Sequence, residues 1–206
     1  MIVWRSNFKF DEDKIDQIIL ETTKNYPVIS EEDVGLSSSF FEPDLFKRPE
    51  AIFLDTYSEK IASAMKDLGL HHRSHYSFDH WLQVYSSDIA THKVHDHYSS
   101  MVILSWVHFI RPTEDKCFYF YDSEANKTYP KQDKGDFIIF PSWALHAVSG
   151  KKGRSVIAGN IVLNELYSRE NRHEDLCHMN EMIDDETIVS KRKMVNSIVD
   201  WKAFLG

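Results

Sequence analysis

The residues best equipped for chemistry crowd one short stretch, Thr91 to Ser100, which reads THKVHDHYSS and holds three histidines and an aspartate. Imidazoles and carboxylates are ligands for first-row transition metals, so the question is which of the four can share one ion. Side chains alternate faces along a strand. His95 and His97 are therefore expected to point one way, and Asp96 the other, together with His92 if the extension reaches that far. Such a pair alone holds an ion weakly, and a third ligand has to come from elsewhere. His146 is the candidate, because it follows an apolar strand and a tight corner in KGDFIIFPSWALHAVSG, as a ligand returned by a closed β scaffold would. Beyond it, Arg154 and Ser155 open the run RSVIAGNIVL. The intervening SGKKG is expected to make a hairpin that sets the two strands side by side, with the Arg154 guanidinium facing the metal cavity and able to fork onto a carboxylate. The competing readings are a polar strand face in solvent for the pair and an ordinary basic turn for Arg154. The company of all four residues favours the metal.

Positioning these groups requires a β scaffold. From Trp81 onward the chain runs as short β-rich segments between turn residues, WLQVYS, SMVILSWVHFI, CFYFYD, DFIIFPS and RSVIAGNIVLNE, which predicts an antiparallel sandwich or barrel. Upstream, Asp11 to Tyr26 predicts an amphipathic helix with Ile15, Ile18, Ile19 and Leu20 on one side, ended by Pro27. Ile52 to Leu68 repeats the pattern through Leu54, Ile61, Met65 and Leu68, with Gly69 as its stop. The segment between them reads as an irregular loop lying over a site. After Leu176 a helical pattern returns, with Val189, Met194, Ile198 and Trp201 available for packing, and the KRK at Lys191 to Lys193 on its exposed face. No repeat or linker divides the chain, so we expect one domain over 1–206: a helical flank at 1–80, a β core at 81–165 and a second helical flank at 166–206. The flanks have two uses open to them, covering the barrel or forming a homodimer contact.

Composition narrows the partners. A chain of 206 residues with 42% hydrophobic content can bury one sizeable core. A net charge of −8 disfavours nucleic acid, whose phosphates need a basic face. The longest apolar stretch, MVILSWVHFI, is half a membrane span, and the N-terminus lacks a signal-peptide pattern, so a soluble, cytoplasmic protein is expected. Cys117 and Cys177 read as packing residues in a reducing compartment. Eight of the eleven histidines, at positions 71, 72, 75, 80, 92, 95, 97 and 108, lie in one block. The first four, in HHRSHYSFDH, read as a solvated loop entering the β core. Asn160 and Asn164 have two readings, as cavity residues or as partners for buried backbone groups.

The string WLQVY, then H-x-H with Ser100 close behind, then GDFIIFPSWxxHxV and RSxxxxN, resembles the Fe(II)/2-oxoglutarate-dependent oxygenase superfamily, in particular its small bacterial and phage branch. The resemblance spans Trp81 to Leu163. It implies a mainly β fold with flanking helices, a double-stranded β-helix or cupin-like jelly roll. His95, His97 and His146 would then be the catalytic metal ligands, and Arg154 would anchor the far carboxylate of 2-oxoglutarate with Ser155 as a helper. Trp81, Gln83, Tyr85 and the CFYFYD strand would line the cavity, with Tyr85 on the cofactor side. The implied cofactors are Fe(II) and 2-oxoglutarate, and the implied reaction consumes molecular oxygen, releases succinate and carbon dioxide, and hydroxylates a small molecule or an amino-acid side chain. Two departures stand out. His97 occupies the position of the family's usual carboxylate, so either three histidines hold the iron or a carboxylate arrives from outside the motif, as Asp96 would through a strand bulge. The spacing from His146 to Arg154 is also short for the branch, which leaves Lys151 or Lys152 as the other cation. Two further functions compete: a cupin-type metalloenzyme that does not use 2-oxoglutarate, favoured by the spacing of Gly135, Pro141 and His146, and a non-catalytic jelly-roll binding module.

Overall fold

The computed structural model describes residues 2–28, 35–70, 76–98 and 102–163. In chain order the described elements are β1 (Trp4–Asn7), α1 (Glu12–Asn25), β2 (Leu36–Ser38), α2 (Leu54–Asp67), β3 (Tyr76–Phe78), β4 (Trp81–Tyr85), β5 (His92–His95), β6 (Val102–Arg111), β7 (Phe118–Tyr121), β8 (Lys127–Thr128), β9 (Asp136–Pro141), β10 (His146–Val148) and β11 (Ser155–Leu163), with short 3-10 turns between β2 and α2. The expected C-terminal flank, with Cys177, Asn164 and the KRK segment, lies outside the described residues, as do His71, His72 and His75.

Both helices form where their sequence signals place them. Asp11 caps α1 by accepting from the amides of Asp13 and Lys14, and Lys24 sits in the last turn. Its buried stripe is Ile15, Ile18 and Thr22. Leu20, expected on that stripe, is 71% exposed. It follows Ile18 by two positions, which in a 3.6-residue turn is the opposite side. The buried face of α2 is Tyr57, Ile61, Ala64 and Met65. Gly69 stops it with φ near +70°, its amide bonding to Lys66 while the Leu70 amide reaches back to Met65.

Two antiparallel sheets face each other as a double-stranded β-helix. The large sheet runs β1-β9-β6-β11-β4-β2 with β3 also on β11, and the small sheet runs β5-β10-β7-β8. Strand alternation gives the large sheet two buried faces. Leu82, Leu104, Ile157 and Ile161 pack outward under the helices with Ile18, Tyr57 and Ile61. Val107, Phe109, Ile138 and Phe140 point inward, where they meet Phe118, Phe120 and Val148 of the small sheet. Each of these large side chains contributes about 1.5–3 kcal/mol by leaving water. The N-terminal flank does more than cover the core, because β1, β2 and β3 all join the large sheet.

The hairpin expected at SGKKG does not form. β10 pairs with β5 and β7 in the small sheet, whereas β11 pairs with β3, β4 and β6 in the large one. The turn therefore crosses from one sheet to the other. Its glycines and lysines suit either connection, so local turn chemistry could not separate them.

Candidate metal centre

The corner after β9 assembles the centre. Its four residues, Pro141 to Ala144, close with the Ala144 amide bonded to the Pro141 carbonyl at 3.0 Å, and β10 then begins on His146. The same corner receives His97, whose amide donates to the Ser142 carbonyl at 2.8 Å, while the Ser142 hydroxyl donates to the Val102 carbonyl at 2.8 Å. His146 pairs with His95 across the β5/β10 ladder. His95, His97 and His146 thus converge, offering ligand atoms that all lie within 4.8 Å of one another.

Each ring is held by its Nδ1. His95 bonds the Lys93 carbonyl at 2.7 Å, His146 the Ala144 carbonyl at 2.8 Å, and His97 the Asn160 Oδ1 at 2.6 Å. These oxygens only accept, so all three Nδ1 atoms carry the proton and all three Nε2 atoms keep a lone pair. Burial, reinforced by the neighbouring His95 imidazole, pushes His146 down to about 3 and also lowers His97. Both imidazoles are therefore neutral near pH 7, as ligation requires. The donor set fits a borderline first-row ion such as Fe(II).

His92 illustrates the limit of the strand argument. A register shift between His146 and Val148 in the β5/β10 ladder brings the His92 ring to 4.7 Å from that of His95, so both face the cavity. Its tautomer is nevertheless the reverse. Gln83 Nε2 donates to His92 Nδ1 at 3.2 Å, which leaves the proton on Nε2. The strand ends at His95, and His97 reaches the site from the following segment rather than by simple alternation. Asp96 is exposed at the rim, its carboxylate accepting from the Tyr98 amide at 3.1 Å.

The three rings open into a cavity of about 600 Å³ between the sheets, walled by Trp81, Trp106, Phe118, Phe140 and Val156 and approached past Phe40 and Phe41. Of the segment upstream of α2, expected as an irregular loop, Leu36–Ser38 form β2 in the large sheet, and Leu36, Ser38, Phe40 and Phe41 line the cavity. Trp81 stacks on His97 at 5.9 Å with the rings 11° from parallel. Arg154 also lines the cavity, 1% exposed, and among the described residues neither terminal nitrogen of its guanidinium has a hydrogen-bond partner. A buried cation in apolar surroundings costs several kcal/mol unless an anion meets it.

The other expected cofactor residues fall differently. Ser155 is buried on the opposite parity of β11 and does not line the cavity. Tyr85 stands behind the wall, its ring 5.0 Å from the Arg154 guanidinium and its hydroxyl donating to Gln83 Oε1 at 3.1 Å. Lys151 pairs with Asp115 at 2.9 Å, and neither it nor Lys152 reaches the cavity. Cys117 is buried packing, as read from sequence. His80 is not in a solvated loop: it is 1% exposed and bonds Glu50 at 3.0 Å. Neither residue carried a local signal, since the pair is made across distant segments.

Fold and site together define a double-stranded β-helix whose mouth holds three convergent imidazoles opposite a buried arginine that is unpaired among the described residues. No protein-family model and no curated protein matches the sequence, but solved structures share the fold. A prolyl-4-hydroxylase from Pseudomonas putida superposes with a TM-score of 0.53 at 13% identity, over 77% of this chain and 91% of that one. A Trichoplax adhaerens prolyl hydroxylase, solved with a hypoxia inducible factor peptide fragment, gives 0.56 at 13% identity over 78% and 83%. The viral collagen prolyl hydroxylase of Paramecium Bursaria Chlorella virus-1, in its 2OG complex, gives 0.51 at 16% identity over 77% and 96%.

Proposed function

We propose that this chain is an Fe(II)- and 2-oxoglutarate-dependent oxygenase that hydroxylates an amino-acid side chain or a small molecule, with succinate and carbon dioxide as co-products. The observation that carries the reading is Arg154, a buried guanidinium with two unpartnered nitrogens in the same cavity as the three-histidine cluster. A dicarboxylic keto acid is a ligand that answers both, one end chelating a metal and the other accepting a two-pronged bond from arginine.

His95, His97 and His146 would hold the iron through Nε2. Bound iron supplies the redox capacity for dioxygen chemistry, and 2-oxoglutarate the reducing equivalents released as carbon dioxide leaves. The chain itself positions and shields. Arg154 orients the cofactor's far carboxylate, and the Tyr85 ring beside it fixes the guanidinium. Trp81, Phe118 and Phe140 exclude water from the reacting centre. The shared fold with prolyl hydroxylases, one of them solved with a peptide, supports an amino-acid side chain as the first substrate class to test. A cupin-type reaction without 2-oxoglutarate would leave Arg154 with no anion to meet.

Anaerobic addition of Fe(II) and then 2-oxoglutarate tests the reading. The visible charge-transfer band of the chelate is expected in the wild type and absent in His146→Ala. Arg154→Ala should still bind metal but weaken 2-oxoglutarate by more than about 30-fold, the loss typical of a truncated buried charge pair. No band in the wild type, or a band indifferent to Arg154→Ala, overturns the proposal.

A further inference from the structure

The three-imidazole set brings no negative charge to a dication, and behind it lies a carboxylate that the ligand assignment leaves unused. Asp79, in the segment between β3 and β4, packs against β11 at Asn160. The Asp79 amide donates to the Asn160 carbonyl at 3.0 Å, and the Asn160 amide donates back to Asp79 Oδ1. The Asn160 side chain turns its Oδ1 toward the cavity. That oxygen takes the His97 Nδ1 proton at 2.6 Å and a second hydrogen bond from the Ser105 hydroxyl at 2.9 Å.

The relay therefore starts at the charged residue. Asp79 grips the Asn160 backbone through both its amide and its carboxylate, Asn160 Oδ1 fixes the tautomer of His97, and the tautomer leaves Nε2 free for metal. The approach is built into the backbone: a Cβ on Gly159 would lie 2.0 Å from the Asp79 carbonyl oxygen and 2.6 Å from the Trp106 indole, so only glycine lets the Asp79 segment sit this close. Burial raises the Asp79 carboxyl above its usual range, and the Asn160 amide, Arg48 and His80 work against that rise. The Arg48 guanidinium is itself pinned by the Glu42, Phe40 and His80 carbonyls.

We infer that Asp79 is a positioning residue of the metal centre, acting on His97 through Asn160 and supplying at one remove the negative charge that the three-histidine ligand set lacks. This rests on the metal reading above. Ligating histidines are commonly backed by a carboxylate on their other ring nitrogen, and here an asparagine stands between.

Anaerobic Co(II) titration, followed by the visible ligand-field bands, reads the effect without turnover. Asp79→Asn keeps an acceptor for the Asn160 amide and removes the charge; it is expected to weaken Co(II) by about 10–100-fold, the usual loss for an outer partner. Adding Asn160→Asp to that variant sets a carboxylate directly on His97 and should recover most of the affinity, which a merely structural role for Asp79 does not predict. If Asp79→Asn fails to fold, Asn160→Ala cuts the same relay and should show the same loss. Co(II) affinity within threefold of wild type in the folded variant, or a double variant as weak as Asp79→Asn alone, overturns the inference while leaving the oxygenase reading standing. A wild type that binds no Co(II) overturns both.

Discussion

Four histidine rings crowd the mouth of the cavity, and hydrogen bonding at Nδ1 sorts them. Three donate from Nδ1 to fixed oxygens, whereas His92 accepts there from Gln83. His92→Ala should therefore leave Co(II) affinity within about the 10–100-fold window of an outer-partner loss, toward its lower edge, while His95→Ala, His97→Ala and His146→Ala should each fall beyond it; isothermal titration of the four variants decides this. The three converging histidines and the cavity-lining Arg154 were legible in the sequence because each belongs to a local pattern, H-x-H, a corner followed by histidine, and an arginine opening a strand. Asp79 and Asn160 were not legible as partners. Their meeting depends on β3, β4 and β11 lying together, and nothing in SFDH or GNIV announces it.

Elements were legible where capping and periodicity agreed. Asp11 and Gly69 bound their helices as expected, and the five long β-rich runs all became strands. What failed were features decided by neighbours rather than by local chemistry. The β5/β10 irregularity turns His92 inward, and SGKKG leads across the barrel instead of back along one sheet. The glycine of β11 is a third such feature, because its requirement comes from Asp79 and Trp106 packed against it. Gly159→Ala should destabilise the fold by about 1–3 kcal/mol, as overpacking does, and should also weaken Co(II) because the relay must shift. Thermal unfolding and titration of the same sample measure both. An unchanged melting temperature would contradict the close approach.

At the scale of the whole molecule, acid stability is set by histidines that fold in neutral. Burial holds His108 down at about 4, between the Tyr57 hydroxyl, which donates to its Nδ1, and the Phe8 carbonyl, which accepts from its Nε2. His146 is held at about 3. In the unfolded chain both titrate near 6.5. Below that value the unfolded state takes up protons that the fold refuses, so stability is full above pH 6.5 and is lost as pH falls from 6.5 toward 4. Metal-free protein should lose about 1.4 kcal/mol per group for each pH unit in that window. Urea unfolding at stepped pH measures the slope, which His108→Gln should reduce.

The site also straddles the two sheets. His146 belongs to the small sheet, His95 ends its outer strand and His97 follows in the next segment, whereas Arg154 immediately precedes β11 of the large sheet and Asn160 lies within it. A metal chelated on one side by histidines, and a dicarboxylate reaching from it to the arginine on the other, would rivet the jaws of the barrel at a fixed gape. Loading the cofactors and setting the spacing into which a substrate must fit then become a single event.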